Sequence, residues 1–198
     1  MKRFYSNVSR ISLLLLFFGL QQSAFSQSYQ LTSMSGTFTP LTGGTNVPDI
    51  QGDDGNASSI TLGFDFIYSG QSYSRLEPTS NGVFFLTNYN GMEGKGSKVE
   101  KMEISLSMLS WMGYAAIAPL SDDLSGDTGT ATYKLEGSAP HRVFTFECLN
   151  WKWDAAAVAA VISFQIKLYE TSNVIEFIYR RESEPVSVSG VTTGASIG

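Results

Sequence analysis

Residues 161–179, VISFQIKLYETSNVIEFIY, decide the fold class. Ile162, Phe164, Ile166 and Leu168 recur at every second position, with Gln165, Lys167 and Tyr169 between them. A period of two is that of a β-strand with one buried face, because successive strand side chains point to opposite sides. Glu170-Thr171-Ser172-Asn173 then interrupts the pattern, and Val174 to Tyr179 resumes it with Ile175 and Phe177 on the apolar side. Two alternating runs around a short polar turn read as a β-hairpin. This pair is the longest clean alternation in the chain, so it is expected at the centre of the domain.

The same signature recurs on the N-terminal side. Arg142 to Trp151 and Gly129 to Leu135 flank the loop Glu136-Gly137-Ser138-Ala139-Pro140. Residues 60–68 (ITLGFDFIY) place Leu62, Phe64 and Phe66 on one face and Gly63, Asp65 and Ile67 on the other. A second strand near 72–78 follows, then Ser80-Asn81-Gly82 and a return strand from Val83 to Leu86. Asn-Gly is a strong hairpin signal because both residues tolerate positive φ. Two stretches resist assignment. Residues 97–110 fit helical and strand spacing equally and read as a long connection with room for one short helix, while AAAVAAV at 155–161 reads as a hairpin tip leading into a strand. Many short strands without alternating helices imply an all-β, antiparallel β-sandwich of jelly-roll or lectin-like type. Residues 27–198 read as a single β-sandwich domain, without an internal repeat.

Composition narrows the chemistry. Thirteen Lys+Arg against 18 Asp+Glu give a formal charge of -5, which argues against nucleic acid as a partner. Among 198 residues there is one His and one Cys, too few for an intrachain disulfide, a Cys-His catalytic pair or most His/Cys metal sites. A Ser-His-Asp triad would have to use His141, which lies in the loop Ala-Pro-His-Arg. Cys148, flanked by Phe144, Phe146 and Leu149, reads as a small buried hydrophobe, with pairing to another chain as the alternative.

Residues 1–26 have the three parts of a secretory signal peptide. Lys2, Arg3 and Arg10 make a positive start, Ile11 to Leu20 is apolar, and Ala24-Phe25-Ser26 offers small residues at a cleavage point. The apolar run is short of the ~20 residues a membrane span needs, so no transmembrane segment is expected after signal removal. The mature chain is expected to be secreted, extracellular or at the cell surface.

Several short motifs share an order that is familiar. They are Thr37-Phe38-Thr39-Pro40-Leu41 as an opening strand, Gly63-Phe64-Asp65-Phe66 ending in Tyr68, Ser80-Asn81-Gly82, and Ala118-Pro119-Leu120-Ser121-Asp122-Asp123-Leu124. Ala139-Pro140-His141-Arg142-Val143-Phe144 and the hairpin around Glu170-Thr171-Ser172-Asn173 complete the set. Together they resemble the N-terminal β-sandwich module of large secreted and cell-surface proteins of Bacteroidetes-type bacteria, many of which carry a type IX secretion sorting domain. A fainter similarity runs to the nidogen-like module of extracellular matrix proteins. The resemblance implies a non-catalytic extracellular module, often ahead of adhesion domains, and carries no catalytic residues. It also implies a further strand where this chain stops, at 189–198, so the sandwich is expected to be truncated at its C-terminus.

Two acidic loops are the best chemical signal. Gly52-Asp53-Asp54-Gly55-Asn56 and Ser121-Asp122-Asp123 with Asp127 gather oxygen donors of the kind calcium takes in sixes to eights. Neither has EF-hand spacing, and Asx turns alone also produce such loops. No other cofactor is expected. Trp151 and Trp153, two residues apart on one strand, are candidates to stack on a glycan or anchor an extracellular protein partner; filling the core is the competing reading. Asp122, Asp123, Glu147 and Asp154 supply carboxylates for a glycoside-hydrolase-like enzyme, the least favoured alternative. The expectation is therefore a non-catalytic secreted binding or structural module, with a calcium-supported carbohydrate-binding domain as the alternative.

The signal reading yields a direct expectation. Mass spectrometry of the exported protein should find Gln27 as the first residue, and an intact Met1 on the exported chain would refute it.

Overall fold

The apolar alternations fold as strands whose buried rows face one another. The computed structural model describes residues 29–89, 115–157, 162–182 and 197. The signal segment 1–26, the ambiguous stretch 97–110, Trp111, Tyr114, residues 158–161 and all of 189–198 except Ile197 lie outside the described residues. Among the described residues nine strands run in order: β1 (Thr45–Asn46), β2 (Ile60–Tyr68), β3 (Gln71–Pro78), β4 (Phe84–Thr87), β5 (Ala116–Ile117), β6 (Thr130–Glu136), β7 (Val143–Trp151), β8 (Ile162–Tyr169) and β9 (Ile175–Arg181). One 3-10 turn, Pro48–Ile50, follows β1. Among the described residues no helix is long and apolar enough to cross a membrane.

Two antiparallel sheets result, one ordered β1-β6-β7-β8-β9 and the other β2-β3-β4-β5. The all-β sandwich expected from the alternations is what forms. Among the described residues β2 to β5 and β6 to β9 each follow chain order, while β1 crosses over to pair with β6. Among the described strands the 161–179 hairpin is off centre: β7 is the middle strand of its sheet, and β9 is the last in the order. The two sheets meet through their apolar rows. Phe144, Phe146, Cys148, Phe164, Ile166 and Leu168 of the larger sheet are at most 1% exposed. They belong to one core with Leu62, Phe66, Leu76, Phe84 and Ile117 of the smaller. Phe84 meets Phe146 edge-on, with ring centroids 5.1 Å apart, the arrangement that the ring quadrupoles favour. Cys148 is wholly buried, and burial pushes its thiol well up from the usual range.

The outer face of the larger sheet departs from expectation. Glu147 and Gln165 are cross-strand partners on that face, yet they are 2% and 1% exposed. Residues 37–41, expected to form an opening strand, instead cross this face as an irregular strap. The Leu41 backbone N–H donates to Glu147 Oε2 at 3.0 Å, and Gln165 Nε2 donates to the Thr39 carbonyl at 2.8 Å. Gln165 Nε2 also donates to Glu147 Oε2 at 2.6 Å. The Arg180 guanidinium lies 4.6 Å from the Phe38 ring centroid. Pro40 has no N–H to give a ladder, so side chains of the sheet replace the strand pairing that proline forbids.

A second irregularity shapes the smaller sheet. Thr61 pairs with Arg75 and Phe66 with Tyr73, so Leu62 to Asp65 all face the single residue Ser74. This bulge is possible because Gly63 takes φ +85°, and a Cβ there would fall 2.5 Å from Leu135 Cδ2. Arg142 fixes the bulge by donating from Nη1 to the Gly63 carbonyl, while its Nε and Nη2 hold Glu170. Asn173 Oδ1 accepts from the Ile67 N–H at 2.8 Å. The loops of one sheet thus tie down the edge of the other.

Two stability measurements test this account. In denaturant titrations Phe164→Ala should cost about 3–5 kcal/mol and Lys167→Ala less than about 0.5 kcal/mol. Gln165→Ala should cost about 1–3 kcal/mol, because it leaves the buried Glu147 short of a donor. A severe Lys167→Ala beside a tolerated Phe164→Ala would invert the face assignment. The second test concerns acid. The Arg142 guanidinium holds the Glu170 carboxyl down at about 2, from an ordinary 4.5. A depressed carboxylate stabilises the fold above its unfolded pKa, and that contribution is lost as pH falls. Wild type should therefore lose more stability than Glu170→Gln between pH 4.5 and about 2, and parallel pH–stability curves would remove the pair's contribution.

Candidate functional site

The two acidic loops, distant in sequence, share one neighbour: the β3–β4 turn. Thr79 and Val83 close this turn, the Thr79 N–H donating to the Val83 carbonyl at 3.1 Å. Of Ser80-Asn81-Gly82, only Gly82 takes positive φ, at 68°. The turn is thus a three-residue loop ending in a left-handed glycine, and not the two-residue form that Asn-Gly suggests. On one side it holds the first acidic loop: the Ser80 N–H donates to the Gly55 carbonyl at 2.8 Å, and Ser80 Oγ accepts from the Gly55 N–H at 2.9 Å. Asn81 Nδ2 donates to Asp54 Oδ1 at 3.4 Å. On the other side it presses on the second loop, where a Cβ on Gly82 would fall 1.8 Å from the Leu120 carbonyl oxygen. Only glycine permits that approach.

The outcome is a cluster of Asp53, Asp54 and Asp123, each exposed, with one carboxylate oxygen apiece lying within 4.8 Å of the others. Asp54 sits at φ 52°, a left-handed conformation that Asp tolerates better than most residues. Asp123 is pushed above its usual range, first by partial burial and then by the charges of Asp53, Asp154, Asp54 and Asp122. Like charges held together disfavour a further ionisation. Calcium ligands lie 2.3–2.6 Å from the ion, so oxygens on opposite sides of one ion stand roughly 5 Å apart. The separation of these three carboxylates fits that span.

The remaining predicted residues fall elsewhere. Asp122 contributes its charge to the cluster, and its Oδ1 accepts from the Asp123 N–H at 3.0 Å. Asp127 is not part of it; Lys152 Nζ pairs with Asp127 Oδ2 at 2.9 Å. Asp154 is 7% exposed, and its Oδ1 accepts from the Ala156 N–H at 2.8 Å, an Asx turn. Glu147 lies under the strap on the outer face of the larger sheet, so the four carboxylates weighed for hydrolysis are not one group.

Trp151 and Trp153 do not form a paired aromatic face. Trp151 is fully buried, donates from Nε1 to the Thr130 carbonyl at 3.1 Å and meets Phe164 edge-on. Gly126 and Gly129 make room for it, since a Cβ on either would come within 3 Å of the indole. β7 ends at Trp151, and Trp153 follows in a bend, half-buried against the core. The register shift between Cys148 and Trp151, with Asn150 at φ 59°, precedes both rings; what separates them is the end of β7 at Trp151. His141 is an exposed turn residue.

Among curated proteins and among solved structures nothing matches the chain. The model of the family described as NIDO related, the nidogen-related modules, matches residues 28–198, and the chain belongs to that family.

Proposed function

We propose that this chain is a non-catalytic secreted module of a cell-surface or adhesion-type protein, whose Asp53, Asp54 and Asp123 hold one calcium ion between two loops. Membership of the nidogen-related family supports an extracellular-type binding or structural module. The signal-like segment 1–26 supports export, and the motif order supports a place among the secreted proteins of Bacteroidetes-type bacteria. The observation that carries the calcium reading is the convergence of three carboxylates from loops some 70 residues apart in sequence. Mutual repulsion opposes that convergence, and a divalent cation would convert it to attraction. Bound calcium would make the loops around the β3–β4 turn rigid, which suits a module that presents a surface to an extracellular partner.

Thermal melts test the reading. An ion that binds only the native state at 100 times its Kd stabilises by about 2.7 kcal/mol, which for a chain of this size raises Tm by roughly 5–10 °C. Calcium should produce that shift against a chelator. In Asp53→Asn/Asp123→Asn the shift should vanish, with Tm in chelator no lower than wild type because a repulsion has been removed. Superimposable wild-type melts with calcium and with chelator would overturn the calcium reading.

A further inference from the structure

The β2 bulge and the loops that tie it down enclose an open groove of about 650 Å³. Its polar walls are Thr61 and Asp65 of β2, Ser74 of β3, Arg142 just before β7, and Glu170, Thr171 and Asn173 of the β8–β9 turn, with Phe64 and Ile67 of β2 as its apolar lining. The size lies within the range of small-molecule sites. None of these residues belongs to the acidic cluster, so the groove is independent of the calcium reading.

The groove is built rather than incidental. Arg142 is fixed on Glu170 through Nε and Nη2 and on the Gly63 carbonyl through Nη1. A guanidinium has five N–H donors, so among the described residues one N–H on each terminal nitrogen is uncommitted. Asn173 is locked by the Ile67 N–H and by donating to the Thr171 carbonyl at 3.1 Å. The Thr171 hydroxyl donates to the Pro140 carbonyl at 2.8 Å, leaving its oxygen to accept. Asp65 is exposed and makes no hydrogen bond or ion pair among the described residues. The walls therefore present fixed donors and free acceptors before any ligand arrives, which lowers the ordering cost of binding.

Charge and polarity select the ligand. Arg142 is neutralised by Glu170, so Asp65 leaves the groove net negative and disfavours anions. An apolar ligand would strip water from Asp65, Arg142 and the hydroxyls without replacing their hydrogen bonds. A neutral polyhydroxylated ligand satisfies both conditions, since each hydroxyl donates to a carboxylate or hydroxyl oxygen and accepts from a guanidinium or amide N–H. We propose that this groove binds a neutral saccharide, with Asp65 as the principal acceptor and Arg142 as the principal donor.

The test is an array of neutral oligosaccharides (gluco-, manno-, galacto- and xylo-) beside uronic-acid and sulfated counterparts, probed with the full secreted chain. The best binder is then titrated by calorimetry. At least one neutral oligosaccharide should bind above the anionic ones. Asp65→Ala should weaken it at least tenfold with Tm unchanged, because among the described residues Asp65 makes no hydrogen bond or ion pair. Thr171→Val, which keeps the side-chain shape, should weaken it severalfold. The Asp53→Asn/Asp123→Asn variant should bind as wild type does, which separates this groove from the calcium reading. No neutral binder on the array, preference for anionic glycans, or undiminished affinity in Asp65→Ala would each overturn the proposal.

Discussion

The contact between the two inward rows, with Phe84 edge-on to Phe146 at 5.1 Å, is what the rest of the molecule depends on. Each sheet turns an apolar row toward the other, and neither row is stable in water. Burying one such side chain contributes roughly 1.5–3 kcal/mol, and the core holds Phe66, Phe84, Phe144, Phe146, Phe164 and Trp151 among its fully buried members. Once those rows close on each other, the loops at the sheet ends have fixed addresses. The groove and the acidic cluster are both consequences of that closure, since each is assembled from segments that only the packed sheets bring together.

The constraint is passed to the loops by glycines that leave no room for a side chain. Gly82 lets the β3–β4 turn meet the Leu120 carbonyl, which fixes the second acidic loop against the first. Gly63 lets β2 bulge toward Leu135, which opens the groove and offers its carbonyl to Arg142. In both places a Cβ would collide at 2.5 Å or less, and the backbone adopts positive φ. Close approach and unusual φ coincide because a tight irregular path needs both. The groove and the acidic cluster thus both lie where the chain is least regular.

What was legible in the sequence follows from this division. Regular strands were legible: a period of two in residues 60–68 and 162–169 fixes which face meets the core without knowledge of any partner, though not that the strap covers the other face of β8. The short strands β1 and β5, two residues each, carry no periodic signal and were not foreseen. Spacing along a strand also misled at Trp151 and Trp153, because β7 ends at Trp151 and Trp153 lies in the bend beyond it. Of the five acidic residues singled out, Asp53, Asp54 and Asp123 come together, Asp122 lies beside them, and Asp127 is taken by Lys152. Residue type pointed to the chemistry, whereas only tertiary contact decides which carboxylates share a site. The groove had no sequence signal, since Asp65, Arg142 and Thr171 belong to three unrelated segments.

The strap over Glu147 shows how polar residues can hold a sheet where apolar ones would not serve. A buried carboxylate is costly unless hydrogen-bonded, and Glu147 is satisfied by the Leu41 N–H and the Gln165 amide. An apolar pair at these positions would still pack but would not fix the position of residues 39 and 41 along the strands. The hydrogen bonds do so, because each donor or acceptor has one address. Specificity of placement is a recognised use of buried polar groups, as distinct from added stability. The strap in turn precedes β1, whose Thr45 and Asn46 pair with Tyr133 and Thr132 of β6. Anchoring residues 39–41 on β7 and β8 therefore delivers the chain to the β6 edge in register, and the polar face outside the larger sheet guides the strand that completes it.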